Sequence, residues 1–497
     1  MKNTITVLLA VLVLLILNIT FNVSNSHAQW QSDVRLTNAP DTSLTSYNNS
    51  WCIASNGNVV HVVWSDKRDG NWEIYYKRSP DGGINWGADT RLTYDPAISN
   101  LSAVSVSGQL VHVVWRDYRD GNQEIYYKRS ADGGINWGAD IRLTNDPALS
   151  QLPSLAVSAS TVHIVWREDR SGNMEIFYKR STDGGLNWSV DIPITANPSY
   201  YSYNTSVSVS GQVVHVVWNR DMYFNNTEIF YRRSTDGGVN WEAETRLTND
   251  PGSSQLPSIA VFGLNVHVAW YDSRDGNSEI YYKRSTDGGV SWDIDTRLTD
   301  ALSSSLLPSV AVSGSNVHIV WYDVRDGNTE IYYKLSTDGG INWGTDTRLT
   351  NDPSVSMRPS ISISNSALHV VWSDNRDGNY EMYYKRNPTG NPTGIAQIKT
   401  EKPNEYKLMQ NYPNPFNPIT KINFDIPVCH SGEGRNPVVK LVIYDMLGRE
   451  VSTLVNEKLN AGSYSVDFNA SNLSGGVYFC RMQSAGFTDV KKLVLLK

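Results

Sequence analysis

The stretch Ser336 to Trp343 reads STDGGINW, and near copies stand at 79–86 (SPDGGINW), 130–137 (SADGGINW), 181–188 (STDGGLNW), 234–241 (STDGGVNW) and 285–292 (STDGGVSW). A second segment, VHVVW and its variants, begins at Val60, Val111, Val162, Val214, Val266, Val317 and Leu368, a period of 51 or 52 residues. Self-similarity at a fixed period decides the architecture before any single residue is weighed. Each unit keeps one order, seen at 257–299 as PSIAV, NVHVAWYD, SRDGNSEIYYKRSTDGG and SWDIDTRLT. Four short β-branched and aromatic runs separated by Gly, Asp, Asn and Pro predict four strands joined by tight turns. VHVVW is apolar on both faces, so each small sheet needs a neighbour on either side, the condition of a propeller blade.

The ends of the repeat region predict closure. WQSDVRLT at 30–37 aligns with WGADTRLT at 86–93, the fourth strand of a unit whose other three strands stand at 359–364 (PSISIS), 368–374 (LHVVWSD) and 381–387 (EMYYKRN). A linear solenoid gains nothing from that offset, whereas a ring is stapled by it and loses its exposed sheet edges. The expected fold is all-β: a seven-bladed β-propeller of four-stranded blades closed by the N-terminal strand, followed by a small Ig-like β-sandwich.

The form S-x-D-x-G-x-x-W resembles the Asp-box, or BNR repeat, of sialidases and other propeller proteins. That resemblance implies a structural turn between the third and fourth strands of a blade, away from any active site. Asp81, Asp132, Asp183, Asp236, Asp287 and Asp338 then accept backbone N–H groups, and Trp86, Trp137, Trp188, Trp241, Trp292 and Trp343 bury their rings. Trp30 supplies the tryptophan of a seventh, split box.

The sequence has 497 residues, 40% hydrophobic and 11% aromatic, which marks a globular chain long enough for more than one domain. A net charge of -7 without any Lys/Arg run gives no footprint for nucleic acid. Lys2, the apolar run Val7 to Ile19 and the small-residue end Ser26-His27-Ala28 predict a signal peptide over 1–28 and no transmembrane segment in the mature protein. The three cysteines, Cys52, Cys429 and Cys480, have no metal-site spacing; Cys429 and Cys480 pair in an oxidising compartment or stand as separate residues.

The propeller is expected over 29–388, a Pro/Gly/Thr-rich linker over 389–404 and a separate domain over 405–497. The last of these contains NYPNPFNP, IYDMLGREV, GVYF and a Lys-rich apolar end, and closely resembles the type A C-terminal sorting domain of type IX secretion cargo in Bacteroidota-like Gram-negative bacteria. The resemblance implies recognition by the type IX translocon and sortase and a secreted or cell-surface location.

The sialidase resemblance also implies, as an alternative, an exo-glycoside hydrolase with an asymmetric Arg triad. Here Asp66, Arg68, Asp69 and Glu73 recur as Asp117, Arg119, Asp120 and Glu124 and onward, a pattern of hairpin turns and inter-blade ion pairs rather than of one catalytic centre. No catalytic residue, cofactor or metal is assigned: the RDGN loop lacks EF-hand order, and the histidines of VHVVW are expected in the core. Symmetry breaks most in the fourth unit, with TANPSYYSYNTS at 195–206 and NRDMYFNNTE at 219–228. Tyr200, Tyr201, Tyr203, Asn204, Arg220, Asp221, Tyr223 and Phe224 are therefore the candidate platform for an extracellular glycan or polymer. A purely structural surface protein is the third reading.

Overall fold

Period-two alternation in VHVVW feeds two cores at once, and this builds the ring. In the sheet formed by Ser254–Phe262, Asn265–Asp272, Glu279–Ser285 and Thr296–Arg297, in that order, Val266, Val268 and Trp270 pack with Val217 and Ile229 of the preceding sheet. Ala269, Ile280 and Tyr282 pack instead with Val317, Ile319 and Trp321 of the following one. Each blade therefore has no free face, which is why the middle of its second strand is apolar on both sides except for the histidine.

The computed structural model describes residues 30–47, 51–170, 172–195, 199–222, 226–364, 367–388, 395–399, 403–427, 437–459, 461–470 and 473–496. The expected signal peptide and Cys429 lie outside them. One compact unit covers Trp30–Gly390. Among its described residues there are seven antiparallel sheets, here called blades 1 to 7 by the order of their inner strands from Ser43–Leu44 to Ser356–Ser364. Consecutive inner strands touch, and the last, Ser356–Ser364, touches Ile53–Asn56 of the first, so the β-propeller is closed.

The N-terminal segment makes the closure. Val34 and Arg35 pair with Tyr384 and Tyr383 as the outer strand of blade 7, and the Gln31 and Leu36 amides donate to the carbonyls of Arg386 and Met382. Asp33 is held by Arg376 and Lys385, each at 2.8 Å. Trp30 is buried and meets Tyr333 edge-on at 5.1 Å.

The S-x-D-x-G-x-x-W turns are closed by their own side chains. Asp338 Oδ1 accepts the amides of Ile341 (3.1 Å) and Asn342 (2.9 Å), its Oδ2 accepts Asn342 Nδ2, and Ser336 Oγ accepts the Gly340 amide. Gly340 has φ 86°. Asp81 and Asp132 make the same set and are held down at about 2 by these bonds, led by the Asn85 and Asn136 amides.

The repeated Arg/Asp/Glu sets lie mainly within blades, which corrects the expectation of inter-blade pairs. Arg274 joins Asp272 (2.7 Å) and Asp295 (2.9 Å) of its own sheet; only longer contacts, such as Arg274 to Asp250 at 3.6 Å, reach the preceding connection. Blades are instead joined by cations donating to backbone: Lys283 Nζ to the Leu247 carbonyl (2.6 Å) and Arg284 Nη1 to that of Gly339 (2.9 Å).

The remaining described residues form a second unit. Its sheets run Ile395–Lys399, Gly462–Asn469, Ile419–Ile426, Lys407–Leu408 and Glu450–Lys458, Val438–Tyr444, Gly476–Ser484, Phe487–Leu495. They share one core containing Phe424, Ile426, Leu441, Ile443, Met482 and Leu493, a β-sandwich. The stretch 389–404 is thus not linker throughout: 395–399 adds a strand to this sheet, because IAQIK has the β-forming alternation that its Pro/Gly flanks obscure. Cys480 is a free, buried thiol, pushed above its ordinary range by desolvation.

Candidate ligand-binding face

Register fixes which connections share a face. In blade 4, Ser202 at the start of the inner strand pairs with Arg220 near the end of the second, so the connection before Ser202 and the turn after Asp221 emerge together. The S-x-D-x-G-x-x-W turns leave from the opposite end, where Val214 pairs with Ser234.

Tyr201 is 51% exposed there, and its carbonyl accepts the Asp221 amide at 2.9 Å. Tyr200 is half-buried, its carbonyl taking Asn173 Nδ2 at 2.7 Å. The half-buried Tyr203 donates its hydroxyl to Asp221, which also accepts from Thr227 at 3.0 Å; burial first, then the Asp221 bond, raises the Tyr203 hydroxyl pKa. Asn204 takes φ 53° in the bulge between Tyr203 and Ser206. Tyr223 and Phe224 lie outside the described residues.

Arg220 goes elsewhere. Only 2% exposed, it grips Glu244 with both terminal nitrogens (2.6 and 2.7 Å) and lies 4.3 Å from the Phe230 ring centroid. The reason is a substitution within the repeat. Arg220 occupies the register position of Asp117, an aspartate that elsewhere accepts the strand tryptophan's indole N–H, as in Trp270 to Asp272 (2.9 Å). With Asp replaced by Arg, Trp218 Nε1 is buried without a partner.

Immediately before that position, where each second strand follows its tryptophan, the blades carry Ser65, Arg116, Arg167, Asn219, Tyr271, Tyr322 and Ser373. Arg116 donates to the amide oxygens of Asn100 (3.0 Å) and Gln123 (3.2 Å), and Arg167 to that of Gln151 (2.9 Å). Asn219 is fully buried with neither end of its carboxamide bonded.

Blade 1 adds to this end of the ring. Eight residues, 45–52, separate Leu44 from Ile53, where three, 101–103, separate Asn100 from Val104. The longer segment presents Tyr47, 38% exposed, with the Arg358 guanidinium 5.5 Å from its ring centroid. Arg358 lies in the inner strand of blade 7 at φ 55°.

Desolvation lowers the pKa of both Arg167 and Arg358; Arg167 also feels the neighbouring charge of Arg116. No salt bridge joins Arg116, Arg167 or Arg358 to a carboxylate among the described residues, and no group of three His, Cys, Asp or Glu there is placed to hold a metal. These arginines lie within strands, away from the loops that differ most between repeat units. The signal for Arg116 and Arg167 was a single column that varies inside strands otherwise repeated almost letter for letter.

Residues 410–496 match the family model of the secretion system C-terminal sorting domain. The tail is a type IX sorting domain. It marks the protein for the cell surface or extracellular space, and no helix among the described residues is long and apolar enough to cross a membrane. Xyloglucanase Xgh74A of Acetivibrio thermocellus is 27% identical over 326 residues, 54% of this chain and 36% of that protein. The chain thus spans little more than a third of that relative. Among solved structures, polysaccharide lyase Uly1 aligns with TM-score 0.53 at 10% identity, over 72% of this chain and 99% of that one. The Hadza microbial sialidase Hz136 aligns with TM-score 0.43 at 13% identity, over 64% and 74%.

Proposed function

We propose that this exported propeller binds an extracellular glycan or polymer on the face that carries Tyr47, Tyr201 and Tyr203, while its tail engages the type IX translocon and sortase. The observation that carries the reading is the varied register position after the strand tryptophan. Packing demands are nearly the same in every blade, so a position that changes from Ser to Arg to Asn to Tyr around the ring reflects something asymmetric set against it. Half-exposed aromatic rings beside amide and hydroxyl groups suit a sugar, whose C–H faces stack and whose hydroxyls bond. Similarity to a xyloglucanase in sequence and to a polysaccharide lyase in fold supports a carbohydrate as the ligand class.

The test is a broad glycan array probed with the mature secreted protein, beside assays for release of sugar from each bound glycan. Retention of at least one glycan, weakened by Tyr201→Ala with an unchanged melting temperature, is the expected result. An array without any retained glycan overturns the reading, and turnover of a retained glycan converts it to a hydrolase or lyase.

A further inference from the structure

We propose that the ligand is an acidic polysaccharide, whose carboxylate or sulfate groups are taken by Arg116, Arg167 and Arg358 around Tyr47 at the mouth of the ring. The inference rests on the glycan-binding reading and narrows its substrate class.

Arg68, Arg119, Arg274, Arg325 and Arg376 each join at least two carboxylates, and even the displaced Arg220 finds Glu244. A guanidinium taken out of water without an anion is costly, because the desolvation of its charge is not offset. Other half-buried arginines without a carboxylate, such as Arg78, Arg129, Arg180 and Arg232, donate to backbone carbonyls instead; Arg116, Arg167 and Arg358, at the end of the blades where the inner strands begin, have neither kind of acceptor among the described residues. Arg116 and Arg167 have only neutral amide oxygens as side-chain acceptors. Arg358 has no side-chain hydrogen bond or ion pair among the described residues, only the Tyr47 ring.

Tyr47 is shared by Arg358, whose guanidinium lies 5.5 Å from its ring centroid, and by Arg167. Arg167 lies within electrostatic reach of Arg116, Tyr47 and Tyr203, and Arg358 of Tyr47 and Tyr322. Asp169 acts on Arg167 from a distance, but its Oδ1 accepts the Leu149 amide at 3.0 Å. Asn219 supplies an independent observation: at the register position of Arg116 and Arg167 in the next blade, it is buried with its donor and acceptor both unused. A planar guanidinium offers parallel N–H donors matched to two oxygens of a carboxylate or sulfate. The chain's net charge of -7 makes the cationic mouth a local feature rather than part of a general anion affinity.

The experiment is retention of the mature protein on immobilised polygalacturonate, dextran sulfate, xyloglucan and plain dextran, at low salt and at high salt. Retention on one or both acidic polymers and on neither neutral one, falling as salt rises, is the expected result. The two acidic columns tell a carboxylate from a sulfate ligand. Arg358→Gln and Arg167→Gln should each weaken it by about tenfold or more at unchanged melting temperature, with Arg358→Lys intermediate because charge remains while the fork is lost. Retention on xyloglucan or dextran that the arginine variants leave unchanged overturns the acidic ligand and leaves the glycan reading standing. Failure on all four polymers overturns the acidic ligand, and the glycan array then decides the broader reading separately.

Discussion

Tyr282 and Trp343 meet edge to face across the boundary between two consecutive blades, ring centroids 4.9 Å apart and planes at 75°. The Tyr282 hydroxyl bonds His267 Nδ1 at 2.6 Å on one side and on the other sits where a Gly340 side chain would begin. The repeated turn is therefore an inter-blade joint: its glycine makes room for the preceding blade's tyrosine, and its tryptophan covers that ring. Gly340→Ala meets both a positive φ and a filled space, so it should cost about 2 to 4 kcal/mol, read by chemical denaturation. A loss below about 0.5 kcal/mol would show that the joint is slack.

Ring closure gives a second prediction. Trp30 is buried against Tyr333, and the strand that follows it is the outer edge of blade 7. Trp30→Ala should lower stability by about 3 to 5 kcal/mol, the usual range for a buried aromatic truncated in a packed site. Removal of residues 29–38 should destabilise further, since it exposes Tyr383 and Tyr384 to solvent. An unchanged unfolding midpoint after that deletion contradicts closure by the N-terminal segment.

Much of this architecture was legible in the sequence, because a repeat that must bury both faces of each sheet leaves few choices at VHVVW or at the Gly-Gly of the turn. The offset of WQSDVRLT against the final unit carried the closure in the same way. What stayed hidden was decided by side-chain direction. Arg220 was read as a surface group from its loop-like neighbours, yet strand register turns it inward against Phe230 and Glu244. Arg358 stands one position before the PSISIS run and drew no reading there, and only the fold brings it to Tyr47, which is 311 positions away in the chain and belongs to a segment peculiar to blade 1.

The sorting tail makes a third prediction, in the native host. The propeller's clusters of buried residues are complete without residues 405–497, so their deletion should leave a folded propeller that accumulates in the periplasm. Cell fractionation with limited proteolysis reads both properties. Equal amounts of the truncated and full proteins in the medium would refute the sorting role.

The buried histidines set the last prediction, the pH dependence of stability. His61, His112, His163, His215, His267, His318 and His369 each bond the hydroxyl of a tyrosine on the next strand. Desolvation, aided in most of them by a nearby arginine, pulls their pKa values from 6.5 to about 4 at His112, His163, His215 and His267 and about 3 at His61, His318 and His369. The folded form binds protons less readily than the unfolded chain, so the stabilisation is fully present above pH 6.5. It is lost as pH falls from there through about 4 and 3, at up to about 1.4 kcal/mol per pH unit for each histidine. The depressed Asp66, Asp117 and Asp272 push the same way, but only below the ordinary carboxylate range near 3.8. Denaturation midpoints should therefore drop already between pH 7.5 and pH 5, where the aspartates contribute nothing. Replacing His267 with Asn should lower stability at both pH values yet reduce the slope between them. A midpoint independent of pH over that interval would mean that the histidines exchange protons in the folded ring as freely as in the unfolded chain.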